Sequence, residues 1–151
     1  MTQEDKKLLL KDLCSRLPYN VICQVEFKEN GKYNSKVMLL SGIFTDEAYF
    51  TTKGGSIYSN EYKPYLFPLS SMTDEQKREF YKFFDEGITE CANETRQWLR
   101  TKRADETMRP ITIAYVMVHE LVIDWFNKNH FDYRGLIEKG LAIDATGLNI
   151  Y

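Results

Sequence analysis

The sequence predicts an α+β fold in one domain spanning 1–151: an N-terminal helix, a small antiparallel sheet of four to five strands, and a helical C-terminal half. Three patterns carry that reading. Apolar residues recur at spacings of three and four near the N-terminus and again from Phe80 onward, the period of a helix with one buried face. Val21, Cys23, Val25 and Phe27 alternate with Ile22, Gln24, Glu26 and Lys28, the period of a half-buried strand. Asn30-Gly31 and Gly54-Gly55 then cut the following stretch into short segments, as hairpin turns do.

Thr2 is placed to cap a helix reaching about Arg16, with Glu4 and Asp5 in its first turn. Leu9, Leu10, Leu13, Cys14 and Leu17 form its apolar stripe, and Pro18 stops it by disfavouring a helical residue before the ring. Val21, Cys23, Val25 and Phe27 make the inner positions of the first strand.

Two registers compete at the turn that follows. A two-residue turn on Asn30-Gly31 sets Phe27 opposite Asn34 and Val25 opposite Lys36. A three-residue loop, Glu29-Asn30-Gly31, pairs Phe27 with Tyr33, Cys23 with Val37 and Val21 with Leu39. The second matches apolar with apolar at three of four pairs and is the register expected.

Gly42 bends or ends the second strand. Tyr49-Phe-Thr-Thr52 and Ile57-Tyr58 flank a second hairpin turn, and Lys63-Pro-Tyr-Leu-Phe-Pro-Leu69 is extended because each proline biases its predecessor away from helix. Residues from about 19 to 70 thus read as a β-rich half, a twisted sheet whose natural closure is an SH3-like partial barrel.

Residues from about 71 to 151 read as helical. Thr73-Asp-Glu-Gln76 is a capping box, behind which Phe80, Phe83, Phe84, Gly87, Ile88 and Cys91 hold helical spacing as far as Trp98-Leu99. The charged stretch 101–110 reads as a loop, and Ile111 to Tyr115 suits a strand or a helix start equally well. Val118, Leu121, Val122, Trp125 and Phe126 predict a helix ending near Asn129, and a short helix from Tyr133 to Leu141 follows, ended by Gly140.

Composition narrows the function. A chain of 151 residues buries a self-sufficient core, and 43% hydrophobic with 28% charged residues is ordinary for a globular protein. No apolar run approaches the roughly 20 residues that cross a bilayer, and the polar start has no signal-peptide pattern, so a cytoplasmic protein without membrane partners is expected. Cys14, Cys23 and Cys91 are odd in number and lack CxxC spacing, so buried free thiols are expected. A net charge of −2 argues against a protein devoted to coating nucleic acid. Ten tyrosines and nine phenylalanines are the one excess, and aromatics favour binding surfaces as well as strands.

Lys63-Pro-Tyr-Leu-Phe-Pro-Leu-Ser-Ser-Met-Thr-Asp-Glu-Gln76 and Ile123-Asp-Trp-Phe-Asn-Lys-Asn-His-Phe-Asp-Tyr-Arg-Gly-Leu-Ile-Glu-Lys-Gly-Leu-Ala-Ile-Asp-Ala145 resemble short uncharacterised proteins of gut anaerobes, often encoded on prophages or other mobile elements. Leu13 to Val21 resembles the same group, and 79–122 matches no pattern in it. The resemblance implies an origin and no activity.

His130, Phe131, Asp132, Tyr133 and Arg134 are the densest polar and aromatic cluster. A histidine, a carboxylate and an arginine could relay a proton or grip an oxyanion, which is the enzyme reading. The structural reading is preferred: Asp132 caps the last helix, Arg134 pairs locally, and His130 satisfies carbonyls at the preceding helix end. His119-Glu120 begins a zinc motif, but Ile123 stands where the second histidine belongs, so no metal and no cofactor is expected. Arg96, Trp98, Arg100, Lys102 and Arg103 form the one basic patch, able to contact phosphates and stack on a base. The expectation is a non-catalytic binding or accessory protein of phage or mobile-element origin, with a protein partner first, nucleic acid through that patch as the alternative, and a small enzyme last.

Overall fold

The computed structural model describes residues 1–44, 47–52, 55–101 and 108–151, with side chains described for these except 44, 47, 52, 91, 92, 94–101 and 108–117. The fold is α+β with an N-terminal helix.

Capping chemistry starts the two helices that the sequence marks most clearly. In α1 (Gln3–Arg16), Thr2 Oγ1 accepts the Asp5 N–H at 3.1 Å, and Asp5 Oδ2 accepts the Thr2 N–H at 3.0 Å. In α2 (Asp74–Thr101), Thr73 and Gln76 make the same reciprocal pair at 3.2 and 2.9 Å. Each box satisfies two of the N–H groups that a helix start leaves without partners. Met108–Lys128 forms α3, so Ile111 to Tyr115 is helical, and so is the end of the stretch expected as a loop.

Five strands make an antiparallel sheet: β1 (Ile22–Glu29), β2 (Lys32–Phe44), β3 (Glu47–Thr52), β4 (Gly55–Ser59) and β5 (Glu61–Pro68). Their order is β4-β3-β2-β1-β5, so the fifth strand returns to the first. Ser59, at the end of β4, donates from Oγ to the Glu26 carbonyl of β1 at 2.7 Å. Both ends of the meander thereby approach β1, as a curled sheet requires. A register shift between Leu40 and Gly42 bends β2 where the glycine predicts it. Two short strands, β6 (Phe131–Asp132) and β7 (Ile143–Asp144), pair with β5 in parallel and make the sheet mixed.

The hairpin register corrects the expectation. Phe27 lies opposite Asn34 and Val25 opposite Lys36, the two-residue turn. Asn30 and Gly31 take φ of +50° and +81°, the doubly left-handed conformation of a type I′ turn, whose twist suits the flanking strands. Apolar matching misleads here because the hairpin tip leaves the core. In this register Met38 faces the core opposite Cys23, and Tyr33 and Val37 are left exposed. Val21, Cys23, Met38 and Leu40, nearer the base of the hairpin, supply the buried layer instead.

The chain forms two compact units: Met1–Ser71 with Asn127–Tyr151, and Met72–Phe126. The core of the first combines Leu9 and Leu13 of α1, Val21, Cys23, Val25, Met38, Leu40, Phe50 and Leu66 of the sheet region, and Leu136 with Leu141 from the C-terminal segment. That segment, expected in the helical half, belongs with the strands. The second unit gathers Phe80, Trp125 and Phe126, with ring centroids 4.9 to 5.6 Å apart. Gly87 allows a close approach there, since a Cβ would come within 3.0 Å of Leu121 Cδ1. No helix among the described residues is long and apolar enough to cross a membrane.

The expected helix from Tyr133 to Leu141 is absent; these residues form turns. Gly135 and Gly140 take φ of +70° and +68°, each of which interrupts a right-handed helix. Of the cysteines, Cys23 is buried and its thiol is pushed far up by burial, but Cys14 is exposed, because the buried face of α1 runs through Leu9, Asp12, Leu13 and Arg16. The Cys91 side chain lies outside the described residues.

Candidate functional site

The His130–Arg134 cluster is built onto α1 by a buried ion pair. Asp12 and Arg16, one turn apart, are both 0% exposed. Arg16 Nε donates to Asp12 Oδ2 at 2.6 Å, and Nη2 donates to Asp12 Oδ1 at 3.1 Å and to the Phe131 carbonyl at 2.8 Å. Arg134 Nε joins Asp12 Oδ1 at 3.1 Å and donates to the Tyr133 hydroxyl at 3.1 Å. The Tyr133 ring receives both guanidinium groups, with centroid distances of 5.3 Å to Arg16 and 4.8 Å to Arg134. One carboxylate thus serves two arginines, and an aromatic ring fills the space beside them.

His130 follows α3 in the left-handed region, φ +58°, and its N–H reaches the Asn127 carbonyl at 3.1 Å. The reversal drives the imidazole against Tyr151, the rings 3.7 Å apart and 11° from parallel. Tyr151 is held by its hydroxyl, which donates to the Tyr65 carbonyl at 2.7 Å and accepts the Ile22 N–H at 3.3 Å. Burial pushes that phenol well above the usual tyrosine range. Burial, and then the charge of Arg16, brings His130 down to about 4, so the ring is neutral at neutral pH. Its Nδ1 has no hydrogen-bond partner among the described residues, and neither have Arg16 Nη1 and Asn127 Oδ1.

Asp132 ties down the turns that follow. Its Oδ1 accepts the Leu136 N–H at 2.9 Å and its Oδ2 the Ile137 N–H at 2.8 Å. A helix cap would accept two or three residues on; this carboxylate bridges a longer turn. Phe131 and Leu136 are buried, Phe131 beside Phe67 with centroids 6.3 Å apart.

The structure therefore brings together all five residues that the sequence singles out at 130–134, and adds Asp12, Arg16 and Tyr151. Two expected partners differ. Arg134 pairs with Asp12 on a distant element, and His130 meets the helix end through its backbone N–H. Of the added residues, Asp12 and Arg16 had one visible signal: opposite charges at i and i+4 on the same stripe as Leu9 and Leu13. Among the described residues, no group of three or more histidine, cysteine or acidic side chains could hold a metal. The side chains of Arg96, Trp98, Arg100, Lys102 and Arg103 lie outside the described residues.

A second region is open. A cleft of about 450 Å³ lies between the tip of the β1–β2 hairpin and β4, lined by Glu26, Phe27, Tyr33, Ile57, Tyr58 and Glu61 among others. Tyr33 is 75% and Tyr58 59% exposed, and Tyr58 contacts the Tyr49 ring at 4.9 Å. A larger cleft of about 790 Å³ shares Glu26 and Glu61 with it and includes Asp5 and Lys139. Neither cleft is lined by the buried cluster. Comparison of this chain with protein-family models, with curated proteins and with solved structures finds no match.

Proposed function

We propose that the chain is a non-catalytic binding protein, an accessory of a phage or other mobile element, and that its partner is a protein. The observation that carries the reading is the exposed pair Tyr33 and Tyr58 flanking the cleft beside β4. Large exposed rings grouped at a concave surface are what protein interfaces use, since a tyrosine contributes wide contact area at little entropic cost. The polar cluster at His130 supports the same reading by contrast. Its charges are consumed by one another, and its histidine is buried and neutral, so it serves architecture. The phage or mobile-element origin rests on the resemblance of the Lys63–Gln76 and Ile123–Ala145 motifs and the Leu13–Val21 run.

The test is affinity capture from a lysate of the bacterium that carries the gene, read by mass spectrometry, with the wild type beside Tyr33→Ala/Tyr58→Ala. A specific protein should be captured by the wild type and lost by the variant. Capture that nuclease abolishes would transfer the function to nucleic acid and to the Arg96–Arg103 patch.

A further inference from the structure

We infer that the cleft beside β4 takes an arginine from an extended, basic segment of the partner protein. The inference deepens the protein-binding reading and rests on it.

Charge arrangement carries it. Glu26 of β1 and Glu61 of β5 are directly opposed in the antiparallel pairing, so their side chains share one face. Both are exposed, and both line the cleft. Like charges set directly opposite each other destabilise a sheet, and here neither carboxylate has a cationic partner among the described residues. The strand ends are nevertheless fastened. Ser59 Oγ donates to the Glu26 carbonyl at 2.7 Å and accepts the Glu61 N–H at 3.0 Å, which holds the backbones beneath the two charges together. The fold thus maintains two neighbouring negative charges, with Lys28 the one cation beside them among the described residues, at the wall of an aromatic cleft.

A cation from outside completes that arrangement. Tyr33 already shows how a positive group meets the cleft, because the ammonium of Lys28 lies 5.8 Å from its ring centroid. Lys28 is exposed and can move aside. A guanidinium is the better guest than an ammonium: it is planar, bridges two carboxylates through paired donors, and stacks on tyrosine. The cleft is open and bordered by the end of β1 and by β4, which suits a peptide in extended conformation.

The experiment is a nitrogen–proton NMR titration of the full chain with acetyl-Ala-Arg-Ala-amide, and with the same peptide carrying citrulline, the neutral isostere of arginine. Saturable shifts are expected at the amides of Phe27, Lys28, Ile57, Tyr58 and Glu61. Citrulline should weaken binding about tenfold or more, and so should Glu26→Gln/Glu61→Gln. That variant relieves a repulsion, so its spectrum away from the cleft should remain that of the folded protein. Absence of shifts, shifts centred elsewhere, or an equal response to citrulline overturns the inference. Partner capture separates the two readings. If Tyr33→Ala/Tyr58→Ala loses the captured protein while Glu26→Gln/Glu61→Gln keeps it, the arginine falls and protein binding stands. If both keep it, the cleft is not the interface and both readings of it fall.

Discussion

Asp12 and Arg16 stand one helical turn apart on α1, both fully buried, joined by a hydrogen bond of 2.6 Å. Asp12 is also the carboxylate that Arg134 reaches from the C-terminal segment. Removing it would leave two guanidinium groups without their counter-charge, one of them sealed from water. Asp12→Ala is expected to cost about 3–5 kcal/mol, the usual loss when one member of a buried pair is deleted. Urea unfolding measures it. A loss below that of an ordinary surface substitution would mean that Arg16 finds water in the native state.

Stability should depend on pH through His130. The buried ring titrates near 4 in the fold against an ordinary 6.5, so the unfolded chain takes up the proton first as pH falls. The contribution is complete above pH 6.5 and disappears on the way to about 4. Its full size is on the order of 2–3 kcal/mol. Carboxylates titrate in the same window, so the informative quantity is the difference between wild type and His130→Gln. The variant should show the shallower fall between pH 6.5 and 4.5; parallel curves would place His130 in contact with solvent.

Gly31→Val should destabilise by roughly 1–2 kcal/mol, because a β-branched residue resists φ of +81°. No atom lies within 4 Å of the Cβ position, so the cost is conformational and contains no clash. Gly31→Ala, with less bulk, should lose less. Equal unfolding midpoints for wild type and the valine variant would show that the turn relaxes without the sheet.

Asp132→Ala would leave the N–H groups of Leu136 and Ile137 without their acceptor, at a cost of about 1–3 kcal/mol. Asp132→Asn keeps one oxygen and should recover part of it. Thermal unfolding of both variants decides the point. An unchanged or raised midpoint is the behaviour of a functional carboxylate held at the expense of stability, and would reopen the enzyme reading.

Much of the fold was legible because its signals are local. Thr2 with Asp5, and Thr73 with Gln76, announce helix starts through side chains only three residues from the backbone they serve. The alternation from Val21 to Phe27 announces a strand, and Gly42 its bend. The register of the first hairpin was legible too, in the turn chemistry of Asn30-Gly31, but apolar matching outweighed it. Matching carries energy only on the face that meets the core, and the turn sets Met38 on that face and Val37 on the other.

What the sequence by itself determined is the class of fold, the caps of α1 and α2, and the positions of most strands and of the long helices. Each depends on hydrogen bonds or periodicities within a few residues. Only the tertiary structure decided that the C-terminal segment joins the strands, that Tyr151 stacks on His130, and that Asp12 and Arg16 are buried beneath Tyr133. It also set Glu26 opposite Glu61 at a cleft with Tyr33 and Tyr58. These contacts join residues tens to more than a hundred positions apart, where chain connectivity imposes no geometry and packing alone selects the neighbour.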